Sequence, residues 1–67
     1  MPYVNVRITR EGATPAQQAA IIKGVTDLLV EVLDKDRATT FVVIDEVEPV
    51  NWGVGGLPVP EYRNRPR

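Results

Sequence analysis

Pro2 follows Met1 and stands at the head of an alternating run, Tyr3-Val-Asn-Val-Arg-Ile-Thr9. A small second residue is what amino-terminal methionine removal requires, and that removal would leave Pro2 with a secondary amine. An α-amine titrates near about 8, and desolvation or a neighbouring guanidinium lowers it towards neutrality, where a general base is most effective. The bland alternative is an inert terminal proline, but a strand beginning at residue 3 would hold this terminus in place. The chain has no Cys and no His, so Ser-His-Asp and Cys-His catalysis are excluded and a zinc site lacks its usual ligands. No zinc site is expected, and Pro2 becomes the best base available.

Arg7, Arg10 and Arg37 are candidates for holding an anionic substrate, because a guanidinium meets a carboxylate with two parallel hydrogen bonds. Their alternative role is that of solvated surface charges. Trp52, the only Trp, lies in the segment Asn-Trp-Gly-Val-Gly-Gly at 51 to 56, as a pocket wall or an interface anchor. Asp45 and Glu46 are neighbours in a predicted strand, so they point to opposite faces and read as a solvated strand end. No helix is predicted after the glycines, which argues against a phosphate cradle.

The elements that must position these residues follow from periodicity. Val4, Val6 and Ile8 share one face of a half-buried strand. Thr14 as N-cap, Pro15 at the first helical position and Gln17 in a capping box open a helix of about 18 residues. Its apolar stripe runs through Ile21, Ile22, Val25, Leu28, Leu29, Val32 and Leu33, with Lys23, Asp27 and Glu31 on the wet side. A second strand spans residues 39 to 47, making a β-α-β unit with parallel strands. Residues 48 to 51 read as a turn and 52 to 56 as a short hairpin or an edge that pairs with another subunit. Pro58, Pro60 and Pro66 predict an extended or mobile tail over 58 to 67, outside a domain of residues 1 to 57.

Length and charge limit what this unit can do. At 67 residues, 43% hydrophobic and 25% charged, the chain is one small globular domain. Apolar burial of about 100 kcal/mol meets a conformational entropy cost of about the same size. Without disulfides or zinc, oligomerisation is the remaining source of stability. The net charge is −1; residues 1 to 57 carry eight acidic and five basic side chains, and the basic excess sits in the tail, at Arg63, Arg65 and Arg67. That balance argues against nucleic acid. The longest apolar runs, such as Phe41-Val-Val-Ile44, are too short for a membrane span or a signal-peptide core, so a cytoplasmic protein is expected.

With these residues in view, the chain resembles the 4-oxalocrotonate tautomerase family. Met-Pro opening into strand one, a single β-α-β unit and the Asn-Trp-Gly-Val-Gly-Gly segment carry the likeness over residues 2 to about 57. The resemblance implies an α+β fold, a single β-α-β unit with a C-terminal β-hairpin (tautomerase/MIF-like). It also implies assembly as a homo-oligomer, with a hexamer favoured over a dimer or trimer. The implied activity is that of a cofactor-free isomerase of aromatic compound catabolism, in which the amino-terminal proline moves a proton between carbons of a small 2-keto or 2-hydroxy-dienoate acid. Pro2 matches that proline, and Trp52 matches an aromatic residue at the family's site. The two family arginines fall on Ala13 and Phe41, which leaves Arg10 and Arg37 to bind the carboxylate beside Phe41. Two other readings stay open. One is a hydratase or hydrolytic dehalogenase of a small unsaturated acid, with Glu46 or Glu48 activating water. The other is a non-catalytic oligomer whose Arg-rich tail binds an acidic partner.

Overall fold

The computed structural model describes residues 1–66; Arg67, counted above with the basic tail, lies outside them. Strand β1 spans Tyr3–Thr9, helix α1 Pro15–Leu33 and strand β2 Phe41–Val47. The strands pair in parallel from Tyr3 opposite Phe41 to Thr9 opposite Val47. The helix starts as expected: the Thr14 side chain accepts from the Gln17 N–H at 3.1 Å, while the Gln17 side chain accepts from the Thr14 N–H at 2.9 Å. It ends at Asp34, whose φ of 54° is a left-handed position that Asp tolerates.

Two expectations are corrected. Strand two begins at Phe41 rather than residue 39, because Arg37–Thr39 form a 3₁₀ turn capped by Asp36, which accepts from the Ala38 N–H at 2.9 Å. Local capping there overrides the β preference of the Thr pair. The tail is not extended over its first half either, since Val59–Arg63 form helix α2. Pro58 and Pro60 stand at the cap and first turn, where a helix needs no N–H from them. Glu61 in the first turn and Arg63 in the last complement the helix dipole.

Between these parts, a 3₁₀ turn over Pro49–Asn51 leads into a hairpin of β3 (Gly53–Val54) and β4 (Leu57–Pro58). Gly55 and Gly56 form its turn with φ of +58° and +86°, left-handed positions that a two-residue hairpin turn of this hand requires. The Val59 N–H then donates to the Trp52 carbonyl at 2.9 Å, fastening α2 to the start of the hairpin. Val59 is the only buried apolar residue among those described, at 6% exposure.

Helix α1 packs on β2, but a two-stranded sheet is too narrow to cover its wide apolar stripe. Ile22, Leu28, Val32 and Leu33 remain exposed, Val32 at 67%. On the other face of the sheet Tyr3, Phe41 and Val43 are exposed as well. The radius of gyration is 15.7 Å, against about 11 Å for a closed domain of this length. No helix among the described residues is long and apolar enough to cross a membrane.

Candidate functional site

Parallel pairing divides the candidate residues between two ends of the sheet. Pro2 lies one residue before β1, and its carbonyl accepts from the Phe41 N–H at 3.0 Å. Pro2 and Phe41 are therefore neighbours on the first rung of the ladder. Met1 before them is 85% exposed. Arg37 lies just upstream of β2, where its guanidinium binds Asp27; Lys23 donates to the same carboxylate at 2.7 Å. Hydrogen bonds from Lys23 and then Arg37 hold the Asp27 carboxyl below its usual range.

Arg10 sits at the opposite end, about 25 Å of extended chain from Pro2. Its backbone N–H donates to the Val47 carbonyl at 2.7 Å, and its Nε lies 2.9 Å from Glu48 and 3.9 Å from Glu46. Asp45 and Glu46 do point to opposite faces. Asp45 takes hydrogen bonds from Asn5 at 2.8 Å and Arg7 at 3.3 Å, which together lower its pKa, Asn5 contributing most. Glu46 is not the solvated strand end expected of it: its side chain is 14% exposed and accepts from Gln18 of α1. The even-numbered face of β2 is the one α1 covers, and Gln18 satisfies the carboxylate there.

Trp52 lines a cleft of about 470 Å³ formed by the end of β1, the hairpin and α2. Arg7, Thr9, Val54, Tyr62 and Arg63 share its walls. Arg63 Nη1 donates to Glu11 Oε1 at 2.5 Å, and the Thr9 hydroxyl donates to the other oxygen of the same carboxylate. The Arg63 contact, then the Thr9 contact, bring the Glu11 pKa down to about 2, and the Arg63 pKa rises correspondingly. The cleft thus combines one apolar aromatic wall with two arginines, Arg7 and Arg63, among its lining residues, a combination suited to a small organic anion.

Within one chain the structure brings Pro2 to Phe41, and leaves Trp52 and Arg10 at the far end of the sheet. Sequence reasoning missed Tyr62 and Arg63 as cleft residues. Their signal was present only as the tail's positive charge, because contact with Glu11 spans 52 positions of chain.

Comparison with known proteins adds independent findings. A family model described as "Tautomerase enzyme" matches residues 2–62. A probable tautomerase K2 of Dickeya dadantii is 55% identical over 65 residues, covering 97% of each chain. A 2-hydroxymuconate tautomerase of Pseudomonas putida is 38% identical over 61 residues, 91% of this chain and 95% of that one. Among solved structures, TomN, a 4-oxalocrotonate tautomerase homologue of the tomaymycin biosynthetic pathway, superposes with a TM-score of 0.87 at 32% identity, covering 98% of this chain and all of that one.

Proposed function

This chain belongs to the 4-oxalocrotonate tautomerase family and is an isomerase, and from that premise we propose that Pro2 is its general base. Once Met1 is removed, the Pro2 nitrogen takes the hydroxyl proton of a 2-hydroxy-dienoate, or of the enol of a 2-keto acid, and delivers it to a carbon of the same molecule, leaving the keto form. The nitrogen needs no cofactor for this, because the same lone pair accepts and then releases the proton. The observation that carries the reading is the Phe41 N–H bond to the Pro2 carbonyl at 3.0 Å. That bond fixes the reacting nitrogen one atom group away from a rigid ladder, while exposed Met1 stays open to processing.

Trp52 is the proposed pocket wall, with Arg10 and Arg37 as carboxylate contacts and Phe41 beside the base. Since these stand at both ends of one sheet, a complete pocket is proposed to form between copies, the amino terminus of one meeting the cleft of another. The uncovered faces of α1 and of the sheet support a homo-oligomer, with a hexamer favoured. The proposed setting is aromatic compound catabolism in the cytoplasm. Hydration is less well supported, because Glu46, a candidate to activate water, is engaged by Gln18 and Arg10.

The test pairs intact-mass measurement with kinetics. Protein from cells should lack Met1, and Pro2→Ala should lower kcat/KM for both 2-hydroxymuconate and phenylpyruvate by about 10²-fold or more, the scale of a lost general base. Equal rates for the variant and the wild type would remove Pro2 from this role.

A further inference from the structure

We propose that Arg63 is a specificity-determining residue that receives the second carboxylate of a dienol diacid in the cleft walled by Trp52. The inference rests on the isomerase reading above, but is carried by different residues. Among the described guanidiniums, Arg10 faces two carboxylates, Glu46 and Glu48, and Arg37 is bound to Asp27 on the flank of α1. Neither lines the Trp52 cleft, whereas Arg7 and Arg63 do. Arg7 gives only a 3.3 Å contact to Asp45, a carboxylate that also serves Asn5.

Of the two arginines that line the cleft, Arg63 is held at the shorter range. Glu11 takes its Nη1 at 2.5 Å, which leaves Nε and Nη2 without a hydrogen-bond partner among the described residues. A guanidinium anchored through one nitrogen presents the rest of its planar fork as a preformed carboxylate receptor. The backbone beneath it is fixed as well. Val59 is buried and its N–H is bonded to the Trp52 carbonyl, which ties α2 to Trp52. The Tyr62 ring packs against Gly55, 3.8 Å from where a Cβ would stand, and Arg65 covers the ring at 3.7 Å from its centroid. Little ordering is left to be lost when an anion binds, which is the condition for selectivity. In this arrangement Glu11 is a positioning residue: it touches no substrate and acts through Arg63.

The experiment compares a diacid, 2-hydroxymuconate, with a monoacid, phenylpyruvate, on the full chain. Arg63→Gln should lower the diacid-to-monoacid ratio of kcat/KM at least tenfold, mainly through KM for the diacid. Arg63→Lys keeps a charge for Glu11 but has no fork, and should lower the ratio severalfold with unchanged circular dichroism and native mass. Glu11→Gln, which loosens the anchor, should move KM for the diacid more than kcat. An unchanged ratio in the folded Lys variant overturns the proposal, as does an equal fall on both substrates. Pro2→Ala lowers kcat/KM for both acids by about 10²-fold or more if the base assignment holds, so failure of that assignment is seen separately from failure of this one.

Discussion

The β-α-β part, residues 2 to 47, and the hairpin with its short helix, residues 53 to 63, solve the same packing problem differently. The larger part has regular elements and a well-capped helix, yet leaves Leu28, Val32, Leu33, Tyr3 and Phe41 exposed. The smaller part has two-residue strands and a five-residue helix, and it contains the one buried apolar side chain among the described residues, Val59. Regular secondary structure and a finished core are therefore separate properties in this chain. The larger part requires a second surface to bury its stripe; the smaller is closed on itself and can act as a rigid pocket wall.

The largest expected effect comes from breaking the unfinished part. Leu28→Asp combined with Val32→Asp places two charges in the exposed stripe of α1. If that stripe is covered in the assembly, the variant loses about 3–6 kcal/mol per chain, the worth of burying two such side chains. Sedimentation should then show monomer, and circular dichroism a partly unfolded chain. An unchanged mass and melting temperature would mean that the stripe faces water in the assembled protein as well. A smaller and more local effect is expected from Val59→Ala. Truncating this buried side chain should cost about 1–3 kcal/mol, redden Trp52 emission and leave the native mass intact. Loss of assembly in this variant would erase the distinction between the two parts.

The same contrast explains what was legible in the sequence. Strand β1 and helix α1 announce themselves through alternation at Val4, Val6 and Ile8 and through the Thr14 and Gln17 capping box, because those signals lie within a few residues of one another. Parallel pairing followed from the strand-helix-strand order, but the register that sets Phe41 beside Pro2 did not, because it depends on where the 3₁₀ turn at Arg37–Thr39 lets the second strand begin. Helix α2 was hidden, because its three flanking prolines read as extended chain. What makes it a helix is tertiary: Val59 buried beneath the hairpin and its N–H on the Trp52 carbonyl. The Glu11 pair with Arg63 was illegible for the same reason, since no local pattern joins two exposed charges across the whole length of the fold. Glu46 failed differently. Its parity on β2 was read correctly, but the neighbour that covers it, Gln18, comes from the helix above.

The subtlest expected difference between the two parts is in acid, where Glu11 ties α2 to the loop after β1. Its carboxyl titrates near 2 when paired, against an ordinary value of 4.5. The unfolded or undocked chain therefore binds a proton more readily than the docked one. The contribution of the pair is complete above about pH 4.5 and is lost as pH falls towards 2. Both groups are solvent-exposed, so the effect should be smaller than that of Val59→Ala. Trp52 emission should report it as a shift confined to that window, with the far-ultraviolet signal of α1 preserved through its upper part. Glu11→Gln removes the titrating group and should flatten the transition without moving the neutral-pH spectrum by as much as Val59→Ala does. Asp27 and Asp45 are also held low, by Lys23 and Arg37 and by Asn5 and Arg7, but both belong to the β-α-β part, and Asp27, on α1, should register in the helix signal. If the Trp52 shift persists unchanged in Glu11→Gln, the docking of α2 is set by Val59 alone, and the charge pair serves only to aim Arg63.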